Sequence, residues 1–281
     1  MDIAAPPIDL GVLAPLLVVL AGAAIVLLVD LFLPPERRAL LGYLAFATTL
    51  VALATCVPLW NVQRRAYNDM VTLDRFGIFA SMAILAGTAL ALLLAIDYLS
   101  SQALHLGEYY PLVLISASGM LIMAIGNDLV VVFLGLEVLS LALYVLSGFA
   151  RGHAASEESA LKYFLLGSFS FGFLVYGTSL IYGASGTTNF TGLSNWLRTD
   201  GRLDDPLLLA GLALLLVGFA FKLALVPFHM WTPDVYVGTP TSVTAFMSVG
   251  TKVAAFAALA RLLVEAVPAL GYTWLPLVWM A

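Results

Sequence analysis

The composition of this 281-residue chain excludes a soluble protein. Hydrophobic residues make up 62% of it and charged residues only 10%, whereas soluble domains carry about 25% charged residues. The same figures exclude a disordered chain, and the net charge of −5 argues against a nucleic-acid partner. The single cysteine, Cys56, excludes an internal disulfide and a thiolate metal cluster. The sequence therefore predicts an integral membrane protein.

Apolar runs long enough to cross a bilayer follow one another along the chain, since a helical span needs about 20 mostly apolar residues. In chain order the predicted spans are Leu10–Leu33, Leu40–Val62, Phe76–Leu99, Tyr109–Ile125, Leu129–Phe149, Ala160–Tyr182, Leu207–His229 and Thr241–Val264. A ninth apolar run starts at Trp274 and reaches Ala281. Half a span leaves backbone groups unpaired in lipid, so either this run lies at the membrane interface or the natural chain continues beyond it, and we expect the latter. The longest connection, Ala184–Pro206, carries several charges and is predicted to be an exposed loop.

Lysine is the most informative residue type in this chain. All three lysines, Lys162, Lys222 and Lys252, lie inside predicted spans, while the loops use arginine. A lysine at the centre of a membrane helix costs roughly 2.5–3.5 kcal/mol, so it requires a protein partner or water. A buried lysine can lose its charge, whereas arginine stays protonated. The placement therefore indicates transfer of protons or movement of small cations.

A carboxylate accompanies the lysines. Glu137 lies nine residues after Asp128, about 13 Å along its helix and near the middle of the membrane. Ser140 and Tyr144 follow at positions that share its helix face. This position indicates that Glu137 takes part with the lysines in moving protons or small cations. The alternative is a structural hydrogen bond between helices, although neutral polar residues provide one at lower cost.

A helix break is predicted beside Lys222. Pro227 removes a backbone donor and clashes with the carbonyl of Leu223, so carbonyls near the lysine become available to water or an ion. His229 lies just beyond the proline, and histidine is a residue type that often relays protons. Its alternative is an interfacial ring with a satisfied hydrogen bond, and that of Lys222 is a structural partner for Glu137.

The other charges within the predicted spans differ in how readily they reach a membrane surface. Lys252 lies roughly 18 Å into its helix, too deep to reach the surface, although a structural role stays open. Lys162 is five residues after Glu157 and could extend its side chain to a membrane surface. Arg261 and Glu265, four residues apart, are expected to form an interfacial pair.

Three segments resemble the antiporter-like subunits of respiratory complex I, and the N-type subunit most of all. They are Gly135–Tyr144, Ala160–Gly167 and Pro227–Tyr236. The strings Lys-Tyr-Phe-Leu-Leu-Gly and Pro-Phe-His-x-Trp-Thr-Pro-Asp-Val-Tyr within them, where x is any residue, are specific to this superfamily. The resemblance is dense from about Asp128 to Leu263 and looser before that.

The resemblance implies an all-α, polytopic membrane protein, an antiporter-like helix bundle with a broken seventh helix. In the family, fourteen helices include two inverted five-helix repeats. This chain would then contain helices one to three in residues 1–108, the first repeat (helices four to eight) in residues 109–266, and the start of helix nine in residues 267–281. About eight complete spans are expected, and the second repeat is absent.

The resemblance also implies roles for the buried charges. Glu137 corresponds to the helix-five glutamate that pairs with the helix-seven lysine, here Lys222. Lys162 and Lys252 correspond to the lysines of helices six and eight, and His229 to the histidine of the broken helix. Together they would form part of a hydrated polar axis that transfers protons.

The function expected from the resemblance is proton translocation by a subunit of NADH–quinone oxidoreductase in the inner membrane of a bacterium. Its partners would be the other membrane subunits of complex I and the lipid bilayer. The chain itself is expected to bind no cofactor or metal, with NADH, flavin, iron–sulfur clusters and quinone elsewhere in the assembly.

Three other functions stay open from the sequence. The chain could belong to a multi-subunit cation/proton antiporter or a membrane-bound hydrogenase, which share these helices. It could be a structural membrane subunit whose charges only lock helices together. A stand-alone solute carrier is the third option.

Overall fold

A computed structural model describes residues 9–34, 37–102, 104, 107–199 and 201–280. The first eight residues of the predicted N-terminal segment and Ala281 of the last apolar run lie outside them. The described chain is predominantly helical, as predicted.

The N-terminal part contains three apolar helices and a short hairpin. Helix α1 spans Ala14–Asp30, α2 spans Ala39–Leu59 and α3 spans Arg75–Ser101. Between α2 and α3, strands β1 (Arg64–Ala66) and β2 (Val71–Leu73) pair antiparallel. This hairpin was not predicted from the sequence, because each of its strands has three residues and no alternating pattern.

The helices that carry the candidate site follow. Helix α4 spans Tyr109–Ile125, α5 spans Leu129–Ser147, α6 spans Ala154–Ser185, α7 spans Phe190–Thr199 and α8 spans Pro206–Leu223. Aspartates begin three of the long helices: the carboxylates of Asp74, Asp128 and Asp205 accept backbone N–H groups of α3, α5 and α8. Such caps satisfy amides that a helix start leaves unpaired.

The C-terminal part contains one long rod and a final helix. After α9 (Trp231–Gly238), the rod Thr241–Ala266 consists of α10 (Thr241–Phe246), a π-helical turn, α11 (Lys252–Arg261) and a second π-helical turn. Helix α12 spans Gly271–Met280.

Six helices of the described chain are long and apolar enough to cross a membrane: Ala39–Leu59, Arg75–Ser101, Leu129–Ser147, Ala154–Ser185, Pro206–Leu223 and Thr241–Ala266. Helices α1 and α4 coincide with two further predicted spans but are shorter apolar helices of 17 residues each. The membrane-spanning character of the chain is thus confirmed at the level of six helices.

The prediction of an exposed loop over Ala184–Pro206 was wrong. Helix α7 occupies the middle of it and buries an apolar stripe consisting of Phe190, Leu193 and Leu197. These residues recur at the three- and four-residue spacing of one helix face. The charges that suggested a loop flank or oppose this stripe.

The helix bundle is held by very close approaches at glycines. A Cβ atom on Gly177 of α6 would lie 2.8 Å from the carbonyl oxygen of Gly211 in α8. Helices α4 and α5 meet in the same manner, because a Cβ on Gly119 would lie 2.5 Å from the carbonyl oxygen of Gly135. Small residues at such crossings let membrane helices pack backbone to backbone.

Candidate functional site

The predicted break in the seventh apolar run is present beside Lys222. Helix α8 ends at Leu223, and Ala224 closes it in a left-handed conformation with φ 60°. Residues 224–230 form turns that include the cis Val226–Pro227 peptide, and α9 begins at Trp231. The sequence places the break correctly because proline cannot continue the helix.

Lys222 is buried in the last turn of α8, with 5% of its surface exposed. Its Nζ donates hydrogen bonds of 2.9 Å to Oγ of Ser140 in α5 and to the phenol oxygen of Tyr163 in α6. Three helices therefore meet at this nitrogen. A helix C-terminus, which carries partial negative charge, also favours a cation at this position.

The ion pair implied between Glu137 and Lys222 is not formed in this structure. Among the residues that the structure describes, the half-buried Glu137 makes no salt bridge. It lies one turn before Ser140 on α5, and its charge still interacts with that of Lys222. The two residues are therefore neighbours without direct contact, and a hydroxyl partner takes the position expected for the carboxylate.

An aromatic stack fixes the environment of Lys222. The ring of Tyr163 stacks on Trp231 with centroids 5.0 Å apart and planes 9° apart, and Trp231 also stacks on Phe221 at 5.2 Å. Nε1 of Trp231 donates to the carbonyl oxygen of Phe221 at 2.9 Å. The rings thus tie α6, the end of α8 and the start of α9 together.

Lys252 reaches the same helix end from the other side. Its Nζ donates to the carbonyl oxygen of Lys222 at 2.8 Å and lies 5.2 Å from the centroid of the Trp231 ring. The carbonyls that the break frees are therefore bound by protein donors, Trp231 and Lys252, where the sequence predicted water or an ion. A π-helical turn, Met247–Thr251, immediately precedes Lys252, and π turns are frequent at functional sites.

A mostly apolar cavity of about 730 Å³ lies beside Lys252. Its walls come from α8, from the turn around Pro227, from α11 and from Leu277 and Val278 of α12. Lys252 is the charged residue in this lining, so its side chain has space on one side and the helix end on the other.

Lys162 makes its ion pairs elsewhere and does not contact Lys222 or Lys252 through them. Its Nζ forms 2.7 Å ion pairs with Glu158, one turn earlier on α6, and with Asp234 of α9. The side chain is 41% exposed. This arrangement agrees with the alternative of a lysine that reaches towards a surface more closely than with a mid-membrane position.

His229 also lies apart from the lysine cluster. It is exposed in the turn between α8 and α9, and its carbonyl oxygen accepts the N–H of Thr232. The sequence correctly placed it after the break but did not fix the direction of its side chain.

A second buried charge, Arg261, was underestimated from the sequence. Its side chain is fully enclosed and donates two hydrogen bonds to the carboxylate of Asp74 (2.8 and 2.9 Å), besides the expected bond to Glu265 (2.8 Å). The interfacial pair is thus part of a buried network. Burial alone would raise the pKa of Asp74, but the hydrogen bond and charge of Arg261, with the N–H of Gly77, hold it below its usual value.

Sequence reasoning missed Tyr163 and Trp231 as parts of the site. Both lie in the quoted superfamily strings, directly after Lys162 and two residues after His229. An aromatic residue beside a titratable one in such a string was the available signal. Ser140 was identified as sharing the face of Glu137, although not as the partner of Lys222.

Comparison with protein families gives one match over more than half of the chain. Residues 126–280 match the family described as the NADH:quinone oxidoreductase/Mrp antiporter transmembrane region. The match includes the residues around Lys222, which are Glu137, Ser140, Tyr163, Trp231 and Lys252.

Curated relatives carry a consistent name. The NADH-quinone oxidoreductase subunit N of Chloroflexus aggregans is 49% identical over 96% of this chain and 56% of its own length. A subunit N of Roseiflexus castenholzii is 43% identical over 98% of this chain and 56% of its own length. The chain thus spans about half the length of these relatives, and the predicted resemblance to N-type subunits is confirmed.

Solved structures agree with these relatives. A chain of respiratory complex I from Thermus thermophilus matches 88% of this chain and 52% of its own length at 35% identity, with a TM-score of 0.75. A chain of the Mrp complex from Dietzia sp. DQ12-45-1b matches 97% of this chain and 52% of its own length, with a TM-score of 0.80 but 23% identity. The latter likeness indicates a shared fold only.

Proposed function

Because this chain belongs to the NADH:quinone oxidoreductase/Mrp antiporter transmembrane family, we propose that it is part of the proton-translocating N subunit of a bacterial NADH–quinone oxidoreductase. Its relatives at 49% and 43% identity carry that name. In this proposal, quinone reduction elsewhere in the assembly drives proton transfer through the chain, and NADH, flavin, iron–sulfur clusters and quinone bind to other subunits.

The observation that carries the proposal is the buried Lys222 at the end of a broken membrane helix. A lysine inside a membrane helix is costly, so such residues usually have a function and a partner. Its nitrogen has partners that are hydroxyls, and a second lysine, Lys252, binds its own carbonyl oxygen. Two cations that share one helix end repel each other, so a proton on one disfavours a proton on the other.

We assign Lys222 the role of proton carrier and Glu137 that of a charge that modulates it. An approach of the carboxylate to Lys222 favours the protonated lysine, and separation favours release. Lys252, beside the cavity, passes the proton onwards. Lys162 and His229 lie at more accessible positions, so we assign them to proton exchange near the ends of the path.

The finer architecture is part of the same proposal. Eight complete spans would include the shorter helices α1 and α4, with residues 1–108 and 109–266 as the N-terminal helices and the first five-helix repeat, and residues 267–281 as the start of a ninth span. The host membrane would be the bacterial inner membrane, and the partners the other membrane subunits of the complex.

The decisive experiment compares three variants in the native assembly. Lys222→Ala and Glu137→Gln are expected to lower proton pumping and coupled quinone reduction severalfold, because each removes a group of the proton path. Lys222→Arg retains the positive charge but cannot release a proton, so it is expected to fail as well. Proton uptake into vesicles and NADH-driven quinone reduction provide the measurements.

The control is Glu157→Gln, the same chemical change at an exposed carboxylate in the first turn of α6. It is expected to retain wild-type pumping. Full coupled activity in Lys222→Ala and Glu137→Gln would remove the mechanism. Pumping by an assembled Lys222→Arg complex would instead support the alternative of a structural subunit whose charges lock helices.

A second candidate function is supported by the fold. The likeness to a chain of an Mrp complex fits a subunit of a multi-subunit cation/proton antiporter, and a membrane-bound hydrogenase subunit shares the same helices. In an antiporter, the Lys222 variants would lose cation/proton exchange in an assembly without redox centres. A stand-alone carrier would transport ions as a purified chain.

A further inference from the structure

We propose that Tyr163, together with Ser140, is a positioning residue that defines the position in which the nitrogen of Lys222 is separated from Glu137, and that Tyr163 can bond to this nitrogen in both protonation states of the lysine. The inference deepens the proposed function and rests on Lys222 being the proton carrier. It concerns the two hydroxyls that take the place expected for the carboxylate.

The hydroxyl of Ser140 can only accept from Lys222 in this arrangement. Its own proton is donated to the carbonyl oxygen of Leu136 at 2.6 Å, one turn back on α5. A serine hydroxyl has one donor hydrogen, so Ser140 stabilises an N–H of the lysine and offers nothing to a lone pair.

Tyr163 differs from Ser140 in this respect. Within the described chain, its phenol oxygen accepts from Lys222 at 2.9 Å and its O–H has no backbone or side-chain acceptor at hydrogen-bond distance. When Lys222 is an ammonium, the oxygen accepts. When Lys222 is a neutral amine, which has a lone pair, the O–H can rotate and donate to it. The same pair of atoms stays bonded while the proton arrives or leaves.

The position of the phenol oxygen is fixed by packing. Tyr163 is fully buried, with its ring stacked on Trp231 and its edge against Tyr144 at a centroid distance of 4.8 Å. Trp231 is itself bonded to the carbonyl oxygen of Phe221, the residue before Lys222. The phenol oxygen and Lys222 are therefore both positioned by the same end of α8.

The two hydroxyls thus define a position of Lys222 in which its nitrogen is not paired with Glu137. Within the described chain, the titratable groups around Lys222 are Glu137 and Tyr144 of α5, Tyr163 of α6 and Lys252 of α11. While Ser140 and Tyr163 both accept hydrogen bonds from its Nζ, Lys222 stays near Lys252 and apart from Glu137. Without the phenol hydroxyl, the nitrogen loses one of its two side-chain partners and moves towards the carboxylate.

The test is Tyr163→Phe in the native assembly, with the pH profile of proton pumping and the number of protons pumped per NADH as readouts. The ring and its stack remain, so assembly is expected to be normal. Pumping is expected to fall severalfold and the profile to move to higher pH by about half to one unit, because a lysine nitrogen nearer the carboxylate holds its proton more tightly.

The matched control is Tyr176→Phe, the same change at an exposed position of the same helix. It should leave both the rate and the profile unchanged. A Tyr163→Phe enzyme whose profile and proton ratio equal those of Tyr176→Phe would overturn the positioning role. Lys222→Ala, measured in the same assay, separates the two failures. If it does not pump while Tyr163→Phe behaves like Tyr176→Phe, only the positioning inference fails. If Lys222→Ala pumps normally, the proposed function fails as well.

A second variant covers the case in which Tyr163→Phe does not assemble. Ser140→Ala removes the other hydroxyl and leaves the aromatic stack in place. It is expected to move the pH profile of proton pumping to higher pH, as loss of the phenol hydroxyl does. An unchanged profile in Ser140→Ala would contradict the idea that hydroxyls hold the nitrogen.

Discussion

Arg261 carries its charge where no water reaches it. Its guanidinium depends on Asp74 and Glu265, whose side chains are 28% and 39% exposed. Removing one partner of a buried pair is more costly than the pair is worth, because the other charge is left uncompensated. The network joins the start of α3 to the end of α11, across 187 positions of sequence.

We predict that Asp74→Asn destabilises the protein by about 2 kcal/mol, less than the roughly 3–5 kcal/mol of a fully enclosed pair because Asp74 keeps some solvent. Asparagine is also a good helix cap, so the bond to Gly77 is retained and the loss reports the charge. Glu265→Gln, at the more exposed partner, is the control and should cost less. Thermal unfolding of the detergent-solubilised protein, followed by tryptophan fluorescence, measures both. Equal midpoints for the two variants would contradict the prediction.

The same network gives a pH dependence of stability. The pKa of Asp74 lies below its usual value because hydrogen bonds and the charge of Arg261 outweigh burial. Its contribution is therefore fully present above about pH 4 and is lost as the pH falls through the folded-state pKa. The unfolding midpoint of the wild type should fall more steeply than that of Asp74→Asn in this acidic range. Parallel curves would show that Asp74 contributes nothing through its charge.

At the scale of single side chains, the sequence identified which residues are unusual but not their partners. Burial of Lys222 followed from its place in an apolar run. Its bonds to Ser140 and Tyr163 span 82 and 59 positions, and no local pattern relates residues so far apart. Glu137 was the natural candidate because opposite charges attract, and two hydroxyls fixed by packing occupy that place instead.

Between helices, a glycine crossing brings the backbones of α6 and α8, which carry Tyr163 and Lys222, into close contact. We predict that Gly177→Ala destabilises the protein by about 1–3 kcal/mol, since its Cβ would meet backbone atoms of α8 that cannot move aside cheaply. Gly172→Ala, on the same helix with no atom within 4 Å of the added Cβ, is the control and should be neutral or slightly stabilising. Unfolding midpoints of both variants, measured in one detergent, provide the comparison. A Gly177→Ala protein as stable as Gly172→Ala would contradict the close packing.

Helix boundaries were predictable to the extent that they depend on local chemistry. The break after Lys222 follows from Pro227, and the starts of α5 and α8 from Asp128 and Asp205. Helix α7 was missed because the charges of the surrounding segment Ala184–Pro206 outweighed a stripe of three apolar residues. The hairpin between α2 and α3 was missed because paired strands of three residues depend on contacts with Asn127 and Asn189, whose side chains bind the carbonyl oxygen of Asp69.

For the whole molecule, the proposal predicts a specific assembly. Native membranes solubilised in detergent and purified on this chain should yield a complex that contains flavin and iron–sulfur clusters together with other membrane subunits. Absorption spectra, subunit identification and the intact mass of this chain are the measurements. Partners without redox centres would move the assignment to a cation/proton antiporter, and recovery of the chain alone would leave the mechanism without a source of energy.

The length of α6 links the candidate site to the thickness of its host bilayer. Its 32 residues extend about 48 Å, and even a tilt of about 40° leaves roughly 37 Å along the membrane normal, more than the roughly 30 Å hydrocarbon core. At least one end of the helix must therefore project among the lipid headgroups. Where the N-terminal end is the one that projects, Lys162 and its partners Glu158 and Asp234 lie at that boundary. It follows that thinner bilayers leave these ion pairs in water, whereas thicker ones draw them into hydrocarbon, where their mutual attraction strengthens and protons exchange less readily.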